Sequence, residues 1–400
     1  MKVLCFIDSL GSGGAQRQLV TLAVGLKKRG HEIRFLVYHQ DDHFIPLLQA
    51  VDIPWDVIPH CSYIQRVLAV RRIFRKGWQD VVLAFLEAPC FYAELAFIPK
   101  PRWGLVVGER FANPGINKGV GLWLRYFHRF ADAVVCNSYT NQLMLDATFP
   151  FLRNKLCTVY NTLDFNLFRS SSPEPHTTTS DSSSVFRIVI AASYDERKNM
   201  MNVAKALNCL KEKKISIVVD WFGNTSADPA AFKQVECFIS ENGLGNLLHL
   251  HPATRDIASE FKSADAVGLF SFIEGLPNVI CEGMACGKPI LLSNVCDSSN
   301  LVQEGKNGFL CDPTSPQDIA KIIHRLFSLS YFDRHNMGLE STRIAKYLFD
   351  EEIVIGRYEN ILTRAANHEP MRPNWSWPDL IPESALKTVR RWAANIKYMK

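Results

Sequence analysis

The chain has 400 residues, of which 47% are hydrophobic and 21% are charged, and its formal net charge is +5 at pH 7. This length is too great for one ordinary domain and predicts two, while the composition excludes a largely disordered chain. Asp8 comes too early for a signal-peptide core, and no apolar run approaches the ~20 residues that cross a bilayer, so we expect a cytoplasmic protein.

Apolar strand-like runs alternate with amphipathic segments in the first part of the chain. A helix is predicted over residues 15–28, where Leu19, Leu22 and Leu26 recur at helical spacing and Gly30 ends it. The predicted strands cover residues 3–7, 33–38, 81–85, 105–107 and 133–136. This alternation predicts a parallel sheet that is covered on both faces.

A polar segment then interrupts the pattern. Residues 169–184 read RSSSPEPHTTTSDSSS, a low-complexity composition that cannot build a core. The alternation restarts directly after it, with a helix predicted over residues 200–211. The strands predicted in this half begin with residues 186–191 and 215–222, continue around His249, and end with residues 267–270, 289–292 and 308–311.

These patterns predict an α/β fold with two Rossmann-like domains facing each other across a cleft at the carboxyl ends of their strands. The N-terminal domain is placed at residues 1–165, the linker at 166–184 and the C-terminal domain at 185–345. Residues 346–400 are predicted to form helices that pack back toward the N-terminal domain.

The eleven cysteines show no CxxC pair and no metal-ligand spacing. Cys5, Cys136, Cys281 and Cys286 fall in predicted strands and helices. We therefore expect buried, reduced thiols and no metal site.

The most informative segment, residues 271–289, reads SFIEGLPNVICEGMACGKP. Glu274 follows a predicted strand, Gly275 permits a sharp turn and Pro277 suits the first turn of a helix, whose exposed amides favour an anion such as a diphosphate. Glu282 lies about a turn and a half further on. The two carboxylates are predicted to face one pocket and to bind hydroxyls of a sugar and a ribose, although either one alone would more often be a solvated surface charge.

This segment closely resembles glycosyltransferase family 4 in its Glu-Gly-x-Pro…Glu pattern and the Met-Ala-x-Gly-x-Pro that follows. The resemblance covers most of the chain, because three further segments share it: residues 13–16 (GGAQ), 160–168 (YNTLDFNLF) and 304–310 (EGKNGFL). It implies the GT-B fold, retention of the anomeric configuration, no cofactor and no metal, with a nucleotide sugar, for which we expect a UDP-sugar, as co-substrate.

The resemblance also implies roles for individual residues. Glu274 and Lys198 are the expected catalytic residues: Glu274 contacts the donor sugar, and Lys198 supplies the positive charge that a departing diphosphate needs when no metal does so. The remaining donor-binding residues are expected to be Glu282, Ser193, Arg197, Asn199, Gly275, Leu276, Pro277, Asn278, Gly13 and Gly14.

Two positions depart from the family pattern. Ser193 stands where family members usually carry an Arg that helps to bind the diphosphate, and Arg197 is the residue that could compensate. No His follows the strand at residues 105–107, where many relatives have one; the chain has Glu109 and Arg110 there. Either of these could orient the acceptor together with Gln16, or the two could form an ordinary surface ion pair.

Three segments combine apolar faces with cations: residues 64–78, 117–130 and 386–400. Each is compatible with an ordinary amphipathic helix, but together they favour a peripheral membrane contact on the inner face of a membrane and a lipid-linked acceptor, such as a polyprenyl-diphosphate-linked saccharide. A nucleic-acid partner is not expected, because no recognition module is visible.

The sequence thus predicts a retaining glycosyltransferase that moves a hexose or an N-acetylhexosamine from a UDP-sugar to a saccharide in polysaccharide or glycan biosynthesis. One alternative is a catalytically silent subunit that binds a partner glycosyltransferase, which the changed residue at Ser193 keeps open. An epimerase of the same architecture is a second alternative. A phosphorylase fits poorly, because it would need a longer chain and a pyridoxal-phosphate lysine.

Overall fold

The computed structural model describes residues 1–59, 62–110, 119–168, 185–213, 215–225, 228–254 and 256–371. The described residues divide into two compact units. Unit 1 contains residues 1–162 and 351–371, and unit 2 contains residues 163–350. The polar segment at residues 169–184 and the basic segment at 386–400 lie outside the described residues.

Unit 1 is built on a seven-stranded parallel sheet. In chain order its strands are β1 (Lys2–Phe6), β2 (Glu32–Val37), β3 (Trp55–Val57), β4 (Val81–Phe85), β5 (Gly104–Glu109), β6 (Ala133–Cys136) and β7 (Leu156–Thr158). Their order across the sheet is β3-β2-β1-β4-β5-β6-β7. The central strands are apolar on both faces, as a sheet covered by helices on both sides requires.

Helices of unit 1 cover this sheet. They are α1 (Gly14–Lys28), α2 (Ile45–Gln49), α3 (Tyr63–Arg75), α4 (Glu87–Ala96), α5 (Gly119–Tyr126), α6 (Tyr139–Thr148) and, much later in the chain, α15 (Glu351–Ala366). Short 3₁₀ turns follow α5 and α6 at Phe127–Phe130 and Pro150–Lys155. Gly30 follows α1 with a φ of 88°, a conformation that glycine adopts without strain, as expected for a helix end.

Helix α15 is an integral part of unit 1 although it comes from the end of the described chain. Its buried face, including Ile355 and Tyr358, packs in the same core as the central strands. The predicted boundary at residue 346 falls inside the preceding helix, whose last turn is anchored in unit 2 by Leu348 and Phe349. The chain therefore leaves unit 2 at Asp350 rather than at residue 346.

Unit 2 repeats the architecture with six parallel strands. They are β8 (Phe186–Ala191), β9 (Ile217–Gly223), β10 (Leu248–Pro252), β11 (Ala266–Leu269), β12 (Ile290–Ser293) and β13 (Gly308–Cys311), in the order β10-β9-β8-β11-β12-β13. The helices are α7 (Phe165–Phe168), α8 (Met200–Lys211), α9 (Pro229–Glu241), α10 (Ile257–Ser263), α11 (Asn278–Ala285), α12 (Ser298–Leu301), α13 (Pro316–Phe327) and α14 (Tyr331–Phe349), with a 3₁₀ turn at Glu196–Lys198.

The strand order reverses direction once in each sheet. In unit 1 the reversal lies between β1 and β4, and in unit 2 it lies between β8 and β11. At such a point the loops that leave the two strands diverge to opposite faces, so the carboxyl edge of the sheet carries a crevice in which ligands bind. The loops after β1, β8 and β11 are therefore where the fold places functional residues.

The predicted fold class is confirmed: both units are α/β with parallel sheets and Rossmann-like strand order. Most strands lie where the apolar runs predicted them, within two residues at either end. Strands β3 and β7 were not predicted, because each has three residues and is too short to give a periodic signal. Nine of the ten described cysteines are buried or half-buried, and Cys237 is exposed.

Close packing of β12 against β13 gives a direct test of the unit 2 sheet. A methyl group at Gly308 would lie 2.0 Å from the backbone oxygen of Ile290, whereas one at Gly245 would meet nothing within 4 Å. We expect Gly308→Ala to lower the free energy of unfolding by about 1–3 kcal/mol, because the two strands must separate to admit it. Gly245→Ala is the matched control, and calorimetry should show little change in its melting temperature. Equal effects of the two substitutions would contradict this packing.

Candidate functional site

Lys198 and Glu274 meet at the reversal of strand order in unit 2. Lys198 Nζ lies 2.5 Å from Glu274 Oε1, and the two side chains are only 20% and 14% exposed. Lys198 comes from the loop after β8 and Glu274 from the loop after β11, and these strands are neighbours in the sheet. The structure thus joins two residues that are 76 positions apart in the sequence.

The loop after β8 is shaped by its own short side chains. The Asp195 carboxylate accepts a hydrogen bond from the backbone N–H of Arg197 and so starts the 3₁₀ turn at Glu196–Lys198. Asn199 ends that turn in the left-handed region, with a φ of 66°. Asparagine tolerates this conformation better than most residues, which lets the chain turn sharply from Lys198 into α8.

Asn199 holds the loops of three strands together. Its Nδ2 donates to the carbonyl oxygens of Phe270 at 2.8 Å and Pro313 at 2.7 Å, and its side chain is buried. Phe272 N–H donates to the Arg197 carbonyl at 2.9 Å, which adds a second tie between the loops after β8 and β11. Both amide protons of Asn199 are thus engaged within the protein, so its amide nitrogen positions the loops around Lys198. The donor contact expected for Asn199 stays a prediction.

Ser193, Asp195 and Arg197 form a charged group beside the Lys198–Glu274 pair. Ser193 Oγ donates to Asp195 at 2.6 Å, and the largely exposed Arg197 guanidinium lies 3.1 Å from the same carboxylate. Burial opposes ionisation of Asp195, but the hydrogen bonds from Ser193 and Arg197 outweigh it and lower its pKa. Asp195 raises the pKa of Arg197, and Glu274 adds to this effect, so Arg197 also feels the charge of the predicted catalytic carboxylate.

Residues 275–278 form the entry to α11. Pro277 occupies the N-cap position and provides no side-chain cap for the first turn, which begins at Asn278. Leu276 is buried. Cys296 holds the loop in place, because its Sγ donates a hydrogen bond to the Glu274 carbonyl at 2.7 Å. An uncapped helix start beside Lys198 and Glu274 is suited to an anionic group.

Glu282 lies in the second turn of α11 and is half-buried. The same helix packs tightly on β11, since a methyl group at Gly283 would lie 2.8 Å from the Val267 side chain. This contact sets the height of the helix above the sheet and with it the position of Glu282.

In unit 1, Gly13 and Gly14 lie at the start of α1, on the loop after β1 where the strand order reverses. Gly13 is the N-cap residue and makes no side-chain cap. Gln16 folds back over it and donates from Nε2 to Asp8 at 2.9 Å; a methyl group at Gly13 would lie 2.0 Å from Gln16 Oε1. The glycine therefore makes room for the glutamine side chain.

Glu109 does not lie on the surface as either an acceptor contact or an ordinary ion pair would require. It is buried, and its carboxylate lies 2.9 Å from both Arg125 Nε and His128 Nε2. Arg125 also reaches Glu87 at 2.6 Å, and His128 Nδ1 lies 2.5 Å from the buried Glu94. Desolvation of an unpaired Glu109 would be costly, so the fold surrounds it with two cations; its acceptor-binding role fits this position poorly.

Burial and the neighbouring charges determine the pKa values of the ionisable groups in this cluster. Burial opposes the protonated imidazole, but Glu94 and Glu109 outweigh it and raise the pKa of His128 to about 10. Burial also opposes an ionised Glu109, but His128 and Arg125 outweigh it and lower its pKa. Burial raises the pKa of Glu94. His128 and Arg125, which the sequence analysis did not single out, are therefore the cations that hold Glu109.

Arg110 is directed into unit 1 by three partners. Its guanidinium stacks over the Phe85 ring at 4.5 Å, donates to the Tyr358 hydroxyl at 3.1 Å and contacts Asn161 Oδ1. Arg110 thereby connects the end of β5 with α15 and with the segment after β7.

A cavity of about 480 Å³ lies at the carboxyl end of β2 and β3 in unit 1. Its lining combines a tryptophan with a histidine, two carboxylates and one amide, a mixture that suits polar ligands with apolar faces. The lining residues are Leu10, Val37, His39, Gln40, Asp41, Asp42, Ile45, Trp55 and Val57.

Of the three amphipathic basic segments, residues 64–78 of the first and residues 119–130 of the second lie within the described residues. Helix α3 exposes Tyr63, Ile64 and Leu68, and α5 exposes Val120 and Trp123. Both helices pack against α4, and neither contains an acidic residue. Within the described part of the chain, no helix combines the length and apolarity that crossing a bilayer requires.

Two family models match the chain. The one described as "Glycosyltransferase Family 4" matches residues 12–167, and the one described as "Glycosyl transferases group 1" matches residues 181–342. The first therefore covers most of unit 1 and the second most of unit 2, including Lys198, Glu274 and Glu282.

Several curated proteins are similar over shorter or longer parts. A D-inositol 3-phosphate glycosyltransferase of Paenarthrobacter aurescens is 29% identical over 155 residues, 38% of each chain. A Campylobacter jejuni alpha-1,4-N-acetyl-D-galactosaminyltransferase, named for a diNAcBac-PP-undecaprenol-linked saccharide, is 22% identical over 78% of this chain and 85% of its own. The alpha-1,3/1,6-mannosyltransferase alg-2 of Neurospora crassa is 22% identical over 91% of this chain and 90% of its own.

Solved structures share the fold over nearly the whole chain. Anabaena HepE in complex with UDP aligns with a TM-score of 0.76 and 21% identity, covering 91% of this chain and all of that one. A glycosyltransferase of Rickettsia africae aligns with the same TM-score at 17% identity, covering 91% of this chain and 98% of its own.

The buried cluster around Glu109 predicts a specific dependence of stability on pH. Because the pKa of His128 rises from about 6.5 in an unfolded chain to about 10 in the fold, its charge stabilises the fold fully below pH ~6.5 and this contribution is lost as the pH rises through 10. His128→Gln should therefore cost most near pH 6.5 and progressively less toward pH 10 in urea unfolding.

The exposed His335 provides the control, since it lies outside the cluster. The cost of His335→Gln should be small and constant over the same range. A cost of His128→Gln that stays level or grows with pH would contradict the charge state assigned to the cluster.

Proposed function

Because the chain belongs to the glycosyltransferases of the family 4 type and has the GT-B fold, we propose that it transfers a hexose or an N-acetylhexosamine from a UDP-sugar to a saccharide acceptor with retention of the anomeric configuration. The observation that carries this proposal is the Lys198–Glu274 pair at the reversal of strand order in unit 2. It provides a cation and a carboxylate, side by side, beside an uncapped helix start.

UDP is proposed as the leaving nucleotide on the strength of similar proteins. HepE of Anabaena has been solved with UDP, with UDP and glucose, and with UDP-glucose, and a TarM variant of S. aureus with UDP. The bound UDP in these proteins supports the choice of nucleotide by analogy. Because their identity to this chain is low, they leave the sugar open among hexoses and N-acetylhexosamines.

The diphosphate would be held by Lys198, Arg197 and the first amides of α11. The diphosphate of a UDP-sugar carries two negative charges and gains a third as its bond to the sugar breaks, so it needs preorganised positive charge around it. Lys198 is paired with Glu274 in the structure. When the donor enters, the Lys198 ammonium would leave the Glu274 carboxylate and bind the phosphate oxygens instead. Arg197 is largely exposed, so it can turn from Asp195 to the diphosphate and supply the charge that Ser193 lacks.

Glu274 would then be free to bind hydroxyls of the donor sugar, on the face opposite the leaving diphosphate. Glu282, in the second turn of α11, would accept hydrogen bonds from the ribose hydroxyls. We propose that the reaction needs no metal ion and no cofactor, since Lys198, Arg197 and the helix amides provide the charge that a metal would otherwise supply. Transfer in the presence of EDTA at an unchanged rate is the expected result.

The acceptor is proposed to be a lipid-linked saccharide, presented at the surface of a membrane on its cytoplasmic side. The similarity to the undecaprenol-linked transferase of Campylobacter jejuni supports this acceptor class. The exposed apolar side chains of α3 and α5, with exposed Arg72, Arg75 and Arg129 nearby in sequence, are typical of helices that lie in a membrane interface. The saccharide itself could bind in the cavity that contains Trp55.

A silent subunit is the second candidate function, favoured by the serine at position 193. A silent subunit would bind a partner without releasing UDP. Incubation with UDP-sugars in the absence of acceptor distinguishes the two, because slow hydrolysis releases UDP from an active enzyme only.

The roles of the two glutamates can be separated by substitution. Glu274→Gln should lower kcat at least about 100-fold without weakening UDP binding, because Glu274 acts on the sugar and its neutralisation leaves Lys198 available to the diphosphate. Glu282→Ala should weaken UDP binding about tenfold or more, because it removes hydrogen bonds to the ribose. Initial rates and calorimetric titration of UDP measure the two effects.

Glu241→Gln, at an exposed position of α9, is the control and should change neither quantity. The assigned roles would be wrong if Glu274→Gln and Glu282→Ala weakened UDP binding equally while leaving kcat unchanged.

Membrane contact is tested by sedimentation with lipid vesicles. We expect the protein to bind vesicles that contain anionic lipid, and the double substitution Ile64→Ser, Leu68→Ser on α3 to weaken this binding about tenfold, since it removes two exposed apolar side chains. Leu339→Ser, at an exposed position of α14, is the matched control and should leave binding unchanged. Equal binding of the wild type and the double variant would exclude α3 as the contact.

A further inference from the structure

Strands β9 and β10 carry a second group of chemically active side chains, separate from the loops that hold Lys198 and Glu274. Asp220 lies in the middle of β9, and His249 and His251 lie in β10, the edge strand of the unit 2 sheet. His249 is the register partner of Asp220. Because His249 and His251 are two residues apart in a strand, both side chains lie on the face that carries Asp220.

From this group we propose that Asp220, His249 and His251 bind one divalent transition-metal ion, Zn²⁺ in the first instance. Asp220 Oδ1 lies 2.8 Å from His249 Nδ1 and 3.0 Å from His251 Nε2. One ligand atom from each residue can be chosen so that all three lie within 4.8 Å of one another. Ligand atoms bound to Zn²⁺ at about 2 Å in tetrahedral geometry are about 3.3 Å apart, so small side-chain rotations would admit the ion.

Partners behind the three ligands hold them in place. Asp220 Oδ2 accepts from Arg187 Nε at 2.6 Å, which leaves Oδ1 for the ion. The His251 ring stacks on Phe222 with ring centroids 4.7 Å apart and an interplanar angle of 18°. Such outer contacts orient metal ligands and are typical of built sites.

The local charge favours a cation. Arg187 is shared between Asp220 and Glu260, each at 2.6 Å, so two carboxylates face one guanidinium and a net charge of −1 remains. The two imidazoles are neutral ligands once each carries its proton on the nitrogen that faces away from Asp220. One divalent ion would therefore more than compensate the excess negative charge without leaving Arg187 unpaired.

Two imidazoles and one carboxylate suit Zn²⁺ and related ions, whereas Ca²⁺ and Mg²⁺ prefer oxygen ligands throughout. The histidine side chains are 42% and 38% exposed, so a fourth position remains for water. None of the three ligands lies in the loops that contact the proposed donor.

The expected consequence is a stabilised sheet edge. The ion would join β10 to β9 through side chains in addition to the backbone ladder. The Tyr194 hydroxyl donates to the His251 carbonyl at 2.6 Å, so the edge strand is also tied to the residue that precedes Asp195. The ordinary alternative is that the imidazoles simply donate hydrogen bonds to Asp220 and bind no ion.

Calorimetric titration of the full, chelator-treated chain with ZnCl₂ at pH 7 separates these possibilities. We expect one Zn²⁺ to bind per chain. The double variant His249→Ala, His251→Ala should lose this binding or show an affinity at least 30-fold lower, whereas the control double variant His324→Ala, His335→Ala should keep it. Zn²⁺ should raise the melting temperature of the wild type and of the control only. With Co²⁺, d–d absorption without a thiolate charge-transfer band would show nitrogen and oxygen ligands rather than cysteines.

Circular dichroism of each metal-free variant establishes that it is folded, and the single substitution His249→Gln replaces the double variant if that one unfolds. Binding that is equal in the wild type and the histidine variants, a thiolate band with Co²⁺, or no Zn²⁺ binding by the folded wild type would each overturn the proposal.

Discussion

The ion pair between Lys198 and Glu274 depends on how two loops of unit 2 are held together. Both charges are largely removed from water, and a buried charge without its partner would be costly. The pair persists because Asn199 binds the carbonyl groups of Phe270 and Pro313, and because Phe272 binds the backbone of Arg197. The rigid β8–β11 neighbourhood thus delivers a preorganised cation and carboxylate to the carboxyl edge of the sheet, where the strand order reverses. Glycosyl transfer is proposed from that arrangement, and the donor enters by exchanging the partner of Lys198.

Unit 1 uses charge differently. Its most buried charges, Glu109, Arg125 and His128, neutralise one another inside the fold. Arg110, which follows Glu109, turns to Phe85 and Tyr358 and so connects β5 with α15. The two residues that replace the histidine of many relatives therefore support the architecture of unit 1.

Much of this arrangement could be predicted from the sequence, for physical reasons that differ between residues. Apolar runs indicated the central strands, because a strand buried on both faces must be largely apolar. Glu274 and Glu282 could be recognised because both lie in one short motif, and Lys198 because it lies in the turn directly after a predicted strand. The features that could not be predicted depend on contacts between residues that are far apart in the sequence. Asn199 reads as a polar residue next to a ligand, but its amide is engaged by carbonyl groups that lie 71 and 114 positions away. Glu109 reads as a surface charge, since nothing local announces Arg125 and His128 as its partners. The sequence analysis did not consider His249 and His251 as a pair, because their common partner Asp220 lies in another strand and only the sheet register brings it close.

Calorimetric titration of nucleoside diphosphates in the presence of EDTA measures the proposed donor site without requiring the acceptor. We expect UDP to bind to the wild type at least tenfold more tightly than GDP or ADP, and Lys198→Ala to weaken UDP binding at least tenfold by removing the cation from the diphosphate. Absence of binding by any nucleotide, or a UDP affinity that Lys198→Ala leaves unchanged, would contradict the proposed donor site.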